Sequence, residues 1–202
     1  GGSGTVLMRA ANYAFGGADR TITTTGEVKF FPVNGQKSFF SDFDTEHLNF
    51  QNITGLQIGI NKNTSNVLIK RSLSVNGNIK VYAGYNNSGS IHQYSNVVSS
   101  SSSGSVTFSG PLVLEADDLV ISSGSGGASF SSAIDSDNSS SLRSLSVTST
   151  GGNVSLGASV GANVELDSIA LTANNISLPD ANTSILADED IIINGTLLHS
   201  GS

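Results

Sequence analysis

Apolar and polar residues alternate along the second half of the chain in a short pattern that recurs at a nearly constant distance. An apolar residue, a serine or threonine, and a phenylalanine or leucine follow one another four times, with spacings of 22, 26 and 22 residues. The four copies occupy residues 106–108, 128–130, 154–156 and 176–178. Apolar residues at every second position are typical of a β-strand with one buried face.

A second apolar pattern lies between these copies and recurs after 26, 24 and 22 residues. Its copies begin at Leu119, Leu145, Ile169 and Ile191. Glycine, asparagine and serine fill the connections, and these residues tolerate tight corners. Several strands in each repeat of 22–26 residues predict an all-β fold, a parallel β-helix (β-solenoid) of about eight coils. Equivalent strands then stack about 4.8 Å apart, and Phe130 is buried between Phe108 and Leu156.

An antiparallel β-sandwich is the alternative for a chain of short alternating strands, but it does not require the same apolar pair at a fixed offset. Residues 1–19 are predicted to be an N-terminal linker, 20–100 irregular coils with loop insertions, and 101–202 regular coils. The bunched Phe39, Phe40 and Phe43 are predicted to pack an insertion or cover a coil end. The last coil is predicted to fray, because no capping segment follows it in the sequence.

Charge and composition exclude several classes of protein. The chain has no cysteine, so it has no disulfide framework and no cysteine-ligated metal site. Its net charge is −7, and residues 81–202 hold one basic and eleven acidic residues, which argues against a nucleic-acid partner. No stretch approaches the roughly 20 apolar residues of a membrane-spanning helix, so no membrane span is predicted.

Four stretches carry a resemblance to a known family: GLQIGINKNTSNVLIKRSLSVNGNIKVYAG, GGASFSSAID, GGNVSLGASVG and SIALTANNISL. They resemble the repetitive passengers of filamentous-haemagglutinin-type bacterial adhesins, which are secreted by two-partner or autotransporter routes. The resemblance implies a right-handed β-helical stalk at the cell surface or outside the cell, and a role in adhesion. It also implies a host or environmental surface receptor, such as a glycan, and an outer-membrane transporter during export. The family's asparagine-rich secretion motif is missing, so an internal repeat segment is expected.

The acidic residues and histidines of the chain favour a protein that is not an enzyme. Acidic clusters at residues 117–118, 135–137 and 188–190 are predicted to be solvated turn acids, because adjacent strand residues face opposite sides and do not form a facing carboxylate pair. A carbohydrate-active β-helix enzyme of the lyase or hydrolase type is the alternative function. His47, His92 and His199 lack metal-ligand spacing, so neither a metal nor another cofactor is predicted.

The sequence supports neither a calcium loop nor an ice-binding solenoid. Residues 135–140 lack the sixth-position glycine and the twelfth-position acid of a calcium loop. An ice-binding solenoid needs a threonine rank repeated at coil spacing, whereas the run TITTT occurs once, at residues 21–25.

Aromatic and amide residues supply the binding candidates. Tyr82, Tyr85 and Tyr94 flank Asn86 and His92, and tyrosine with amides suits stacking on and hydrogen bonding to a sugar. The alternative is that these tyrosines only cover the base of a loop. Glycosylation candidates are the asparagines of N-x-S/T tripeptides: Asn52, Asn63, Asn86, Asn138, Asn153, Asn175, Asn182 and Asn194. The alternative for them is support of left-handed corners or stacking in amide ladders.

Overall fold

The computed structural model describes residues 4–33 and 36–199. Residues 1–3 of the predicted linker and 200–202 of the predicted regular coils lie outside the described residues. Twenty strands and one 3-10 helix, Tyr85–Asn87, are present in the described part. The strands are β1 (Val6–Arg9), β2 (Arg20–Thr23), β3 (Glu27–Phe31), β4 (Phe43–Asp44), β5 (Leu48–Gln51), β6 (Gly55–Ile58), β7 (Val67–Ile69), β8 (Leu73–Val75), β9 (Asn78–Tyr82), β10 (Ile91–Gln93), β11 (Val97–Ser99), β12 (Val106–Ser109), β13 (Leu112–Leu114), β14 (Leu119–Ser123), β15 (Ala128–Phe130), β16 (Ile134–Ser136), β17 (Leu145–Ser149), β18 (Asn153–Leu156), β19 (Ile169–Leu178) and β20 (Ile191–His199).

The strands stack in parallel ladders around one apolar core, which confirms the predicted parallel β-solenoid. Face 1 is the ladder of β1, β3, β6, β9, β12, β15 and β18. Face 2 is the ladder of β4, β7, β10, β13 and β16. Face 3 is the ladder of β8, β11, β14 and β17, and the separate β2–β5 pair lies next to it because β5 contacts β8. Each complete coil passes from face 1 to face 2 and then to face 3.

The last two strands connect face 3 with face 1. The first residues of β19 pair with β17, and its last residues pair with β18. The two ladders therefore join into one 13-stranded sheet. β20 stacks on β19 along both parts.

The register confirms both repeated apolar patterns. On face 1, Val106 pairs with Ala128, Ala128 with Val154, and Val154 with Ile176. On face 3, Leu119 pairs with Leu145, and the column continues through the first residues of β19 and β20. Along face 1 and its continuation through β19 and β20, successive partners lie 21 to 28 residues apart in eight steps, a wider range than the predicted 22–26.

The alternation of side chains determines which residues form the core. In β12, Val106 and Phe108 are buried, whereas Thr107 between them is partly exposed. β-Branched and aromatic residues suit this half-buried, pleated surface. The non-glycine residues with positive φ in the described part of the chain lie in the connections between strands, among them Asn52 (φ 59°) and Asp118 (φ 53°), which fits the tolerance of asparagine and aspartate for left-handed backbone.

An aromatic cluster fills the N-terminal end of the solenoid. The ring centroid of Tyr13 lies 5.5 Å from that of Phe39 and 5.2 Å from that of Phe43. Both phenylalanines are buried, as expected of residues that pack a coil end, but Phe40 is 65% exposed and takes no part. The solenoid also begins within the segment predicted to be a linker, because β1 pairs with β3.

Hydrogen exchange should show amide protection falling from residues 145–178 toward 191–199. Ile191 and Leu197 continue the buried columns of face 3 and face 1, yet they are 46% and 45% exposed. β20 pairs only with β19 among the described strands, and an uncovered edge strand opens at lower free energy than a central strand. Native-state exchange measured by mass spectrometry checks this expectation. Uniform protection through residue 199 would contradict it.

Candidate functional site

Two of the three candidate tyrosines lie at the corner between face 1 and face 2 that follows β9, the fourth strand of face 1. β9 ends at Tyr82, and Gly84 follows in a left-handed conformation with φ 76°. The 3-10 helix Tyr85–Asn87 comes next and contains Asn86 at φ 57°. Glycine and asparagine adopt these angles at low cost. The chain therefore makes a tight corner on which the Tyr85 side chain is exposed.

A groove of about 270 Å³ lies beside this corner. We call it the tyrosine groove, and its lining residues are Asn61, Tyr82, Ala83, Gly84, Tyr85, Asn86, Asn87, Ser109, Gly110, Pro111, Ser131 and Ser132. These residues come from four successive coils, so the groove crosses the strands. The lining combines two phenol rings with side-chain amides, hydroxyls and backbone groups, and lysine, arginine and acidic residues are absent from it. Such a surface can stack on a sugar ring and hydrogen-bond to its hydroxyls.

Close stacking of the corners shapes the groove. A Cβ atom built on Gly84 would lie 2.4 Å from Cδ of Pro111 in the next coil. A Cβ atom on Gly110, where φ is 141°, would lie 2.4 Å from the carbonyl oxygen of Ala83. Only glycine fits at either position without displacing the neighbouring coil.

Asn63 fixes the backbone below the groove. Its Nδ2 donates to the carbonyl oxygens of Tyr82 (2.8 Å) and Ser65 (3.2 Å). Its Oδ1 accepts from the Ser38 hydroxyl (2.9 Å) and the Phe39 backbone N–H (3.3 Å). The side chain is buried, and its amide joins three coils. Asn63 is thus a buried structural residue, and a glycan on it is incompatible with this fold, which corrects its choice as a glycosylation candidate.

The remaining N-x-S/T asparagines are partly or fully exposed. Asn52 and Asn86 have positive φ, so they support left-handed corners. Nδ2 of Asn175 donates to Oδ1 of Asn153 on the preceding coil (3.1 Å), and this hydrogen bond forms one step of an amide ladder. Both structural roles considered as the alternative to glycosylation therefore occur.

Tyr94 does not join the other two tyrosines. It follows β10 at the corner between face 2 and face 3, where its backbone N–H donates to the carbonyl oxygen of Ile69. Burial raises the pKa of its phenol, and the negative charge of Glu115 raises it further. The structure therefore brings Tyr82 and Tyr85 together and places Tyr94 in a charged environment instead.

Charged residues stack along that same corner. Lys70 contacts Asp44 (2.6 Å) and Glu46 (3.3 Å), and the hydrogen bond that its ammonium group donates to Asp44 raises the pKa of that group. On a later coil, Arg143 contacts Asp137 at 2.7 Å and lowers the pKa of that carboxyl. These exposed or half-exposed pairs orient side chains and contribute little to stability.

The acidic residues at 117–118 and 188–190 lie outside the strands, but Asp135 lies in β16, so the expectation of turn acids does not hold for it. The Asp117 side chain is largely exposed and lies 3.6 Å from Arg143. Asp135 accepts from the backbone N–H (2.9 Å) and the side-chain Nδ2 (2.8 Å) of Asn163. Residues 188–190 lie in an exposed connection before β20. No group of three or more histidine or acidic residues suited to a metal ion occurs among residues 4–33 and 36–199.

The sequence did not predict one set of hydrogen-bonded side chains, which lies on face 2. The Oγ atom of Ser90 lies 2.8 Å from Nε2 of His92, and Nδ1 of His92 lies 2.5 Å from Oε1 of Glu115. Ser90 and His92 are two positions apart, so they point to the same side. Glu115 belongs to the next coil, 23 residues later. The sequence does contain a carboxylate about one repeat after a Ser-x-His tripeptide. The two can be recognised as neighbours only when the coil register is known.

No protein-family model, curated protein or solved structure matches the chain. In the described part of the chain, no helix has the length and apolar character needed to cross a membrane.

Proposed function

We propose that this chain is a structural and adhesive segment of a bacterial adhesin that is secreted or exposed at the cell surface, and that it binds glycans through the tyrosine groove. The observation that carries this proposal is the meeting of Tyr82 and Tyr85 with amides and hydroxyls in one groove. The solenoid supplies a rigid support, because each strand on which the groove depends is paired in register with its neighbours.

The chemistry of the groove favours a neutral sugar over a charged ligand. Its lining residues are uncharged, so a charged ligand would find no countercharge there. Phenol rings offer apolar faces that can pack against the C–H groups of a sugar ring, while the asparagine side chains can both donate and accept hydrogen bonds. The groove is open at the surface and spans several coils, which suits a short stretch of a longer oligosaccharide.

The repeat style supports the adhesin class and its partners. The chain resembles the passengers of filamentous-haemagglutinin-type adhesins, whose stalks are β-helical, and the parallel solenoid described above is compatible with that resemblance. The proposed partners are a host or environmental surface receptor that carries the glycan, and an outer-membrane transporter during export. The proposed location is the cell surface or the extracellular space. A nucleic-acid partner is not proposed, because eleven of the twelve charged residues in 81–202 are acidic.

A glycan array with the purified protein should detect binding that depends on the tyrosine groove. We expect Tyr85→Ala and Tyr82→Ala each to lower binding about tenfold, because loss of a stacked aromatic ring removes roughly 1–1.5 kcal/mol beyond its buried area. Tyr94→Ala is the matched control, since Tyr94 is also an exposed tyrosine but lies outside the groove. Its binding should equal that of the wild type.

Two results would contradict the proposal. One is a complete absence of binding across neutral and acidic glycans. The other is binding that Tyr94→Ala abolishes and that Tyr85→Ala leaves unchanged, which would place the ligand at the charged corner between face 2 and face 3.

A further inference from the structure

We propose that Ser90, His92 and Glu115 form a serine nucleophile with its general base and orienting carboxylate, and that this site transfers acyl groups from small esters. The three side chains are connected in the order that nucleophilic catalysis by serine requires: hydroxyl to Nε2, and Nδ1 to carboxylate. This inference does not rest on the proposed glycan site. It departs from the expectation, drawn from the sequence, that the chain is not an enzyme.

The hydrogen-bond partners determine which ring nitrogen of His92 carries the proton. An ionised carboxylate only accepts hydrogen bonds, so Nδ1 must donate to Oε1 of Glu115 across 2.5 Å. In the neutral ring Nε2 is then the acceptor, and the hydroxyl of Ser90 donates to it across 2.8 Å. Nε2 is therefore placed to take the proton of Ser90.

The neighbouring coils fix this geometry. Ile91 lies between Ser90 and His92, and its side chain is buried. The strand that contains it, β10, pairs with both β7 and β13. Glu115 directly follows β13, two positions after Val113, the register partner of His92, and its side chain reaches back so that Oε1 contacts Nδ1 of His92. The side chains of His92 and Glu115 are 22% and 17% exposed, so the pair is partly shielded from solvent but remains accessible. Preorganised groups on paired strands hold their orientation better than groups on a free loop.

Asn66 supplies the donor for the developing oxyanion. Its Oδ1 accepts from the backbone N–H of Ser90 (2.9 Å), which fixes the amide beside the nucleophile. Within the described residues its Nδ2 has no hydrogen-bond partner, so both of its N–H groups are available. A side-chain amide in this position can stabilise the negative charge of a tetrahedral intermediate.

The reaction follows from these assignments. Oγ of Ser90 attacks the ester carbonyl carbon while Nε2 of His92 accepts the hydroxyl proton, and Nδ2 of Asn66 donates to the carbonyl oxygen as it becomes negative. The C–O bond to the alcohol breaks, the alkoxide takes the proton from Nε2, and the acyl group remains on Ser90. Water then attacks the acyl carbon with His92 again as base, and the acid and free serine are released. No metal, oxidant or reductant is needed.

The surroundings define the class of substrate. On face 2, the outward side chains that pair in register with His92 are Leu68 on β7 and Val113 on β13, and both are partly exposed. A small acyl group, such as the acetyl group of an ester on an exposed alcohol, can pack against these two apolar side chains while its carbonyl carbon lies next to the hydroxyl of Ser90.

A fluorophosphonate probe and p-nitrophenyl acetate test the site with the full chain. The probe should add its phosphonyl group to Ser90 with loss of fluoride, as located by peptide mass spectrometry. Ser90→Ala and His92→Ala should abolish the labelling and lower the rate of ester hydrolysis by about 100-fold, the lower end of what a positioned base contributes. Glu115→Gln should lower kcat with little change in KM, because Glu115 positions His92 and does not contact the ester.

The matched control is His47→Ala, because His47 also lies near a carboxylate, 3.5 Å from Asp19, but no serine hydroxyl of the described residues contacts its ring. It controls for hydrolysis by a free imidazole and should leave labelling and rate unchanged. Thermal unfolding verifies that each variant is folded. Absence of labelling, labelling spread evenly over the serines, or an unchanged rate in Ser90→Ala would overturn the proposal.

Discussion

Replacing Phe130 by alanine should lower the free energy of unfolding by roughly 3–5 kcal/mol. Phe130 is 2% exposed and lies between Phe108 and Leu156 in the inward column of face 1. Its ring centroid is 5.8 Å from that of Phe108. Because the paired backbones of the neighbouring coils hold their spacing, the cavity left by the ring can collapse only partly, and the full cost of cavity formation is expected.

Phe40→Ala is the matched control for this substitution. It removes the same side chain from a position that is 65% exposed, so we expect a change within about 0.5 kcal/mol. Urea or thermal unfolding of both variants gives the comparison. A loss below about 1 kcal/mol for Phe130→Ala would show that the inward column does not carry the stability of the coil.

Asn63→Ala should destabilise the protein by roughly 2–5 kcal/mol, since it leaves several buried polar groups without a partner at about 1–3 kcal/mol each. The carbonyl oxygen of Tyr82 loses its donor, and the backbone N–H of Phe39 loses its acceptor. The effect should extend to the site, because Asn63 fixes the backbone of Tyr82 beneath the tyrosine groove. Glycan affinity should therefore fall together with stability.

Asn61→Ala provides the comparison for stability, because Asn61 lies two residues away in the same connection but is exposed. Its unfolding free energy should match that of the wild type within about 0.5 kcal/mol. Equal unfolding curves for Asn63→Ala and Asn61→Ala would contradict the structural role of the buried amide.

The fold could be predicted from the sequence because the repeated patterns reflect the coil register. A one-residue shift of a parallel strand turns every inward side chain outward, so apolar residues at a fixed offset, such as Phe108 and Phe130, indicate stacked strands. The same argument failed for Phe40. It lies in a connection, where no pleat alternates the side chains, and only its neighbours Phe39 and Phe43 pack into the aromatic cluster.

The candidate site was predictable only in part. Tyr82 and Tyr85 flank one corner and are near in sequence, so their proximity was visible. Tyr94 is nearly as close along the chain, but face 2 separates it from them. Pro111 and Ser131 reach the tyrosine groove from the next two coils, and their contribution depends on how far each corner projects.

Buried polar residues were the hardest to interpret from sequence. Asn63 sits in an N-x-S tripeptide that is indistinguishable from those of exposed asparagines. Its structural role depends on partners about one coil before and one coil after it. The pairing of His92 with Glu115 has the same origin, since it joins residues that only the stacking of β10 on β13 brings together.

Chemical-shift mapping of the ¹⁵N-labelled protein with the strongest-binding glycan from the array tests the proposed function most directly. Binding in the tyrosine groove predicts that amide signals of residues 82–87, 109–110 and 131–132 shift together and saturate along one isotherm. Signals of Tyr94 and of face 3 should remain in place. Saturable shifts confined to another face, with residues 82–87 unchanged, would contradict the account.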